Sequence, residues 1–155
     1  MTSAPVGQSG AAELETIRRR RAELREAFDL LERALAMAAT GAWHDTVAQA
    51  VTRIRGDLAV HVTATEGPDG LHDAVRVAAP HLTHAVTSLV ADHTVLAAEL
   101  AALSTLLDQR SDPGPQEVTE IRELATRFLA HLARHRQRTA DIVYDAFQTD
   151  LGGGD

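Results

Sequence analysis

The chain has 155 residues, 45% of them apolar, with 15 arginines and no lysine against 22 acids for a net charge of −7, and it contains no cysteine. That length suits one domain with a sizeable core, and the acidic balance opposes general affinity for nucleic acid or an anionic membrane. Without thiols there are no disulfides, thiolate metal sites or cysteine nucleophiles, so any metal has to sit on histidine and carboxylate, a donor set that favours iron, manganese or zinc.

The small and polar N-terminus "MTSAPVGQSG" predicts a loose tail over residues 1–11, and "LGGGD" predicts a flexible one over 151–155. The expected folded domain spans 12–150. The N-terminus has no apolar leader segment, and no stretch reads as the roughly 20 apolar residues needed to span a bilayer, so a cytoplasmic protein is expected.

A first helix is predicted near 12–39. Its apolar stripe runs through Ile17, Leu24, Phe28, Leu31, Leu35 and Ala38, and Arg21 interrupts it. The run "RRRR" at 18–21 reads as a solvated face. After "ATGAW", a second helix near 43–66 carries Val47, Val51, Ile54, Leu58, His61 and Thr65 on one stripe. The "GPDG" turn and the short "LHDAVRVAA" then fill 67–79, a segment placed to cap one end of the molecule. A third long helix near 80–108 aligns Leu82, Val86, Leu89, His93, Leu96, Leu100, Leu103 and Leu107. A fourth, near 115–148, aligns Val118, Ile121, Ala125, Phe128, Leu132, His135, Thr139 and Ile142. Pro80 and Pro115 suit first helical positions. No segment alternates with period two, so the expected class is all-α, an up-down-up-down four-helix bundle.

Three of the four stripes carry one histidine each: His61, His93 and His135. Buried imidazoles need partners, and rings from facing helices are how bundles hold metals, so these residues mark a shared metal or polar site. Counted from the helix ends, their levels differ by up to about eight residues, roughly 12 Å. His131, one turn before His135, could share a metal or be a boundary residue. Glu66 and Asp141 lie too far round their helices from His61 and His135 to converge with them unless the helix unwinds. His44, His72, His81 and His84 read as surface residues, and the D-x-x-H of Asp69 and His72 falls in a turn. No E-x-x-H, phosphate loop, G-x-S-x-G or H-E-x-x-H occurs, and aromatics at 3% argue against base stacking.

With "HVTATE" at 61–66 closing the second helix, "DH" at 92–93 and "HLARHRQRTAD" at 131–141, the chain resembles a hemerythrin-like (HHE cation-binding) domain over residues 13–150. The runs "ATEGPDGL" and "HRQRTADIVYDAFQTDLGG" are similar to a divergent bacterial branch of that superfamily. The resemblance implies a non-haem di-iron centre, bridged by carboxylates and ligated by histidines from all four helices, which in oxygen carriers binds O₂ reversibly. Relatives are linked to oxygen or redox sensing, iron handling and repair of nitrosative or oxidative damage.

This sequence departs from the pattern at every helix. The first has no histidine. Thr65 stands where the second helix should supply glutamate, with Glu66 one later. Leu89 and Ala97 flank His93, and Thr139 and Ala140 precede Asp141. The ligand set left for a metal is His61, Glu66, His93, His131, His135 and Asp141; these donors suit one non-haem iron, with a di-iron centre and a site without metal both left open. Arg21 either pairs with Glu66 or Asp141 in place of metal charge or snorkels to water. The leading expectation is an iron-binding or formerly metal-binding domain tied to oxygen or redox-related binding rather than turnover. Its rivals are a metal-free scaffold or partner-binding module with a His/Arg/carboxylate core, and a mononuclear iron enzyme that uses O₂. The oligomeric state stays open.

Overall fold

A computed structural model describes residues 6–148, which are all-helical, with no strand among the described residues. Four long helices, α1 (Val6–Ala36), α2 (Trp43–Glu66), α4 (Thr83–Gln109) and α5 (Pro115–Gln148), are joined by short links. The short helix α3 (Leu71–Ala78) and a 3₁₀ turn (Pro80–Leu82) lie between α2 and α4. Helix α1 packs on α2, α2 on α4, α4 on α5 and α5 on α1, which closes the ring of an up-down-up-down bundle. The first helix starts at Val6, inside the stretch expected as a tail. Alanines and acids after Gly10 favour a helix, and no proline follows Pro5 to stop it. Residues 1–5 and 149–155 lie outside the described residues.

The regular stripes form the core as their spacing demands. Helix α4 buries Val86, Leu89, His93, Leu96, Leu100, Leu103 and Leu107, and α5 buries Ile121, Ala125, Phe128, Leu132, His135 and Thr139. Helix α1 is turned from its expected face. Leu24, Ala27, Leu31 and Ala34 are buried, while Phe28 and Leu35 are half-buried and Arg21 is exposed. The two alanines present the smaller surface, over which neighbouring helices approach more closely.

At one end, side chains satisfy the helix-terminal carbonyls that lack partners within their own helices. Trp43 Nε1 donates to the Ala34 carbonyl at 3.0 Å. Arg122 donates to the carbonyls of Leu35 and, at 2.9 Å, of Met37, with its guanidinium 5.0 Å from the Trp43 ring centroid. His44 Nε2 donates to the Leu107 carbonyl at 2.7 Å, so His44 is a half-buried capping residue and not the surface histidine its position suggested.

At the other end, α4 and α5 run past the end of α2, and α3 covers the overhang. Val75 and Ala79 pack there with Val86 and Ala146, flanked by Leu71, Leu82, Ile142 and Val143, in an apolar cluster separate from the main core. The turn that makes this possible is tight. Asp69 sits at φ 59°, and a Cβ on Gly70 would stand 2.5 Å from the Ala64 carbonyl oxygen.

Pro80–Gln109 is long and apolar enough, by length and composition, to cross a membrane, a property the composition did not suggest. Its buried residues nevertheless recur at the spacing of a bundle seam, and His93 sits among them.

Two glycines should respond in opposite directions. Gly70→Ala forces a methyl against backbone and is expected to cost about 1–3 kcal/mol. Gly56→Ala, in mid-α2 with open space around its Cβ, should stabilise by about 0.4–1 kcal/mol. Urea unfolding midpoints followed by circular dichroism check both; equal midpoints for the two variants would refute this account of the turn.

Candidate metal centre

His61 projects from α2 about one turn before its end, His93 from the middle of α4, and His135 from α5. Ring centroids are 5.2 Å apart for His61 and His93, 5.8 Å for His61 and His135, and 4.7 Å for His93 and His135. One nitrogen from each ring lies within 4.8 Å of one from each of the others, a grouping that could hold a metal ion. The offset expected from sequence therefore does not separate the three rings. Distances measured from the end of α2 mislead because α3, not α2, completes that end of the bundle.

Two carboxylates orient the rings. Glu66 Oε1 is 2.7 Å from His93 Nδ1, and Asp92 Oδ2 is 3.0 Å from His135 Nδ1. A carboxylate accepts, so in the neutral rings each Nδ1 carries the proton and each Nε2 presents a lone pair. These two Nε2 atoms face each other at 3.1 Å. Two lone pairs at that distance repel unless a proton or a cation lies between them. The third ring adds to the demand, because His61 Nε2 is buried with no hydrogen-bond partner. Two imidazole nitrogens each about 2.0–2.1 Å from one ion, at right-angled to tetrahedral spacing, would be about 2.8–3.4 Å apart, so the observed separation fits a shared cation.

The supports have their own supports. Asp92 Oδ1 accepts from Arg138 Nη1 at 3.0 Å, and Arg138 Nη2 donates to Ser88 Oγ at 2.6 Å. The Thr139 hydroxyl donates to the His135 carbonyl at 2.9 Å, and that of Thr65 to the His61 carbonyl at 2.9 Å, so both threonines face their own helices.

Of the expected ligands, the structure brings together His61, His93 and His135 and leaves the other three apart. Glu66 stays in regular helix as the last residue of α2, and its carboxylate meets the outer nitrogen of His93 without any unwinding. His131 pairs with Glu99 across the α4–α5 seam. Asp141 is exposed and accepts from Gln137 Nε2 at 2.9 Å. Arg21 forms no ion pair with Glu66 or Asp141 among the described residues; it lines a groove of ≈ 580 Å³ between α1 and α5 that reaches His61 and His135.

Two residues of the site escape a sequence reading. His72, expected at the surface, is only 2% exposed and stacks on His93 with centroids 5.8 Å apart and planes 11° from parallel. The signal was its three-residue spacing from the apolar Val75, which puts both on the inner face of α3. Asp92 stands next to a seam histidine, but only the opposing helix shows that it serves His135.

Burial pushes the pKa of His61 down to about 3, reinforced by His93, His135, His72 and Arg21. It pushes His72 down to about 4, with His93 adding to the effect and Glu66 opposing it. His135 is also lowered, by burial, which outweighs the opposing hydrogen bond that its ring donates to Asp92.

In the unfolded chain these rings titrate near 6.5. Below that pH the unfolded state takes up protons that the folded state refuses, so their contribution is full above about 6.5 and shrinks as pH falls toward the folded values, at about 1.4 kcal/mol per pH unit per ring. The metal-free protein should therefore show a lower urea midpoint at pH 5 than at pH 7. A His61→Leu, His72→Leu double variant should lose most of that difference; an unchanged difference would place its origin elsewhere.

The family model described as the hemerythrin HHE cation-binding domain matches residues 12–147. No curated protein and no solved structure matches the chain. A match over most of the chain, on a four-helix bundle with a histidine cluster between its helices, shows that the protein belongs to the hemerythrin HHE cation-binding domain family.

Proposed function

We propose that the domain binds a single transition-metal cation on His61, His93 and His135, that the ion is iron, and that the role is oxygen- or redox-related binding rather than turnover. The observation that carries this reading is the pair of carboxylate-oriented imidazoles whose Nε2 atoms face each other at 3.1 Å. A buried arrangement of that kind is unfavourable without positive charge at its centre.

Neutral imidazole donors suit iron, zinc, copper and nickel, and within that set iron is the ion that the resemblance to hemerythrin-like domains implies. Glu66 and Asp92 act behind the rings. Each fixes a tautomer and a ring orientation and raises the basicity of the nitrogen that faces inward. Arg138 holds Asp92 in place from the other side. His72 covers His93, and the apolar cluster around α3 keeps water from that end. The α1–α5 groove leaves a route by which a small molecule reaches the centre. When bound, iron would supply reversible O₂ binding or a one-electron change of state. Three protein donors leave room in its coordination for such a partner.

Loading untagged protein with Fe(II) under anaerobic conditions should give one metal per chain and an absorption change on exposure to air. The His61→Ala, His93→Ala, His135→Ala triple variant should retain neither. Metal content in the parent no higher than in the triple variant would sink the reading and favour a metal-free polar core.

Glu66→Gln and Asp92→Asn each leave a side chain of the same shape and should weaken metal binding by about 10–100-fold in competition with a chromogenic chelator. Unchanged affinity in both would mean that the carboxylates do not tune the histidines.

A further inference from the structure

The groove between α1 and α5 has a charge character unlike the rest of the molecule. The chain carries a net charge of −7, yet Arg21, Arg25 and Arg136 converge on this one cavity, and Asp29 is the single acid lining it. Four arginines elsewhere have acidic partners: Arg53 with Glu26 and Asp57, Arg76 with Asp73, Arg110 with Glu117, and Arg138 with Asp92. None of the three groove arginines makes an ion pair among the described residues. Arg21 and Arg25 stand four apart on one helix face, a like-charge spacing that destabilises a helix.

Nor is the groove a purely solvated face. Arg136 is half-buried, with its guanidinium 6.0 Å from the Phe28 ring centroid. Burial, and then the Arg25 charge, press its pKa downward, with Asp29 working the other way. Leu24 and Phe28 give the cavity an apolar wall, and its ≈ 580 Å³ lies within the roughly 300–1,000 Å³ of small-molecule sites.

We propose that this groove binds an organic oxyanion, a carboxylate or phosphate carried on an apolar body. Arg21, Arg25 and Arg136 grip the anion, and Leu24 and Phe28 receive the body. Guanidinium groups match both oxyanions through paired N–H donors, so the recognition chemistry is shared by the two. The site consists of this chain's own side chains and stands whether or not a metal occupies the histidine centre.

Calorimetric titration of the full chain, treated with chelator and then dialysed, tests it with three probes: benzoate, phenyl phosphate and the neutral benzamide. At least one anion should bind about ten-fold or more tightly than benzamide and weaken as salt rises. Which anion binds better identifies the oxyanion. Arg136→Gln should weaken that anion by about ten-fold or more. The Arg21→Gln, Arg25→Gln double variant, which alters only exposed side chains, should do likewise while its melting curve stays unchanged. Arg55→Gln, beside Ser104 on another face, should bind as the parent does.

Undetectable binding of both anions, equal binding of anion and benzamide, or full affinity in the arginine variants would overturn the proposal. So would anion binding that appears only after metal loading and ignores the arginine substitutions, since the anion would then sit on the metal. Anion binding that persists in protein unable to retain metal would support the groove site and count against the metal reading alone.

Discussion

Two imidazole nitrogens aimed at each other inside an alanine- and leucine-rich bundle form the constraint around which this end of the molecule is organised. Glu66 and Asp92 compel each ring to present its lone pair inward, and the opposing helices hold those lone pairs at 3.1 Å. The neighbouring features act in the same direction. Arg138 and Ser88 anchor one carboxylate, α3 covers the other ring, and the leucine seams below keep the helices in register. Positive charge at the centre turns this from an unfavourable meeting of buried polar atoms into a coherent site.

The centre differs from the dinuclear, carboxylate-bridged arrangement that its family resemblance implies. The carboxylates of Glu66 and Asp92 meet the outer nitrogens of His93 and His135. Thr65 and Thr139, near the positions where a carboxylate was expected, turn back to their own helix carbonyls. What remains is a compact, all-nitrogen group that the groove between α1 and α5 reaches. Such a group favours a softer divalent ion than an oxygen-rich cage would.

The parts of this architecture that were legible in the sequence share a physical character. The α4 stripe from Val86 to Leu107 repeats over several turns, so its buried face follows from spacing alone. The same reasoning put His93 and His135 inside. In α1 it pointed to Phe28 and Leu35, where small alanines instead let α2 close in. His72 escaped because an eight-residue helix has too few turns to display a period. Asp92 escaped for another reason, which also explains why Glu66, expected as a ligand, meets the outer nitrogen of His93 instead. Spacing tells in which direction a side chain leaves its own helix, but not what stands opposite, and both acids serve histidines on other helices.

The two ends of the bundle are also mechanically unequal. At one, indole, guanidinium and imidazole groups are tied to main-chain carbonyls of α1, its connecting loop and α4, contacts that long-range motion must break together. At the other, a short helix rests on a small apolar cluster of its own, apart from the main core. The bundle is thus tied by side-chain contacts to main-chain carbonyls at the Trp43 and Arg122 end, whereas the end beyond the histidines is closed by the apolar cluster around α3.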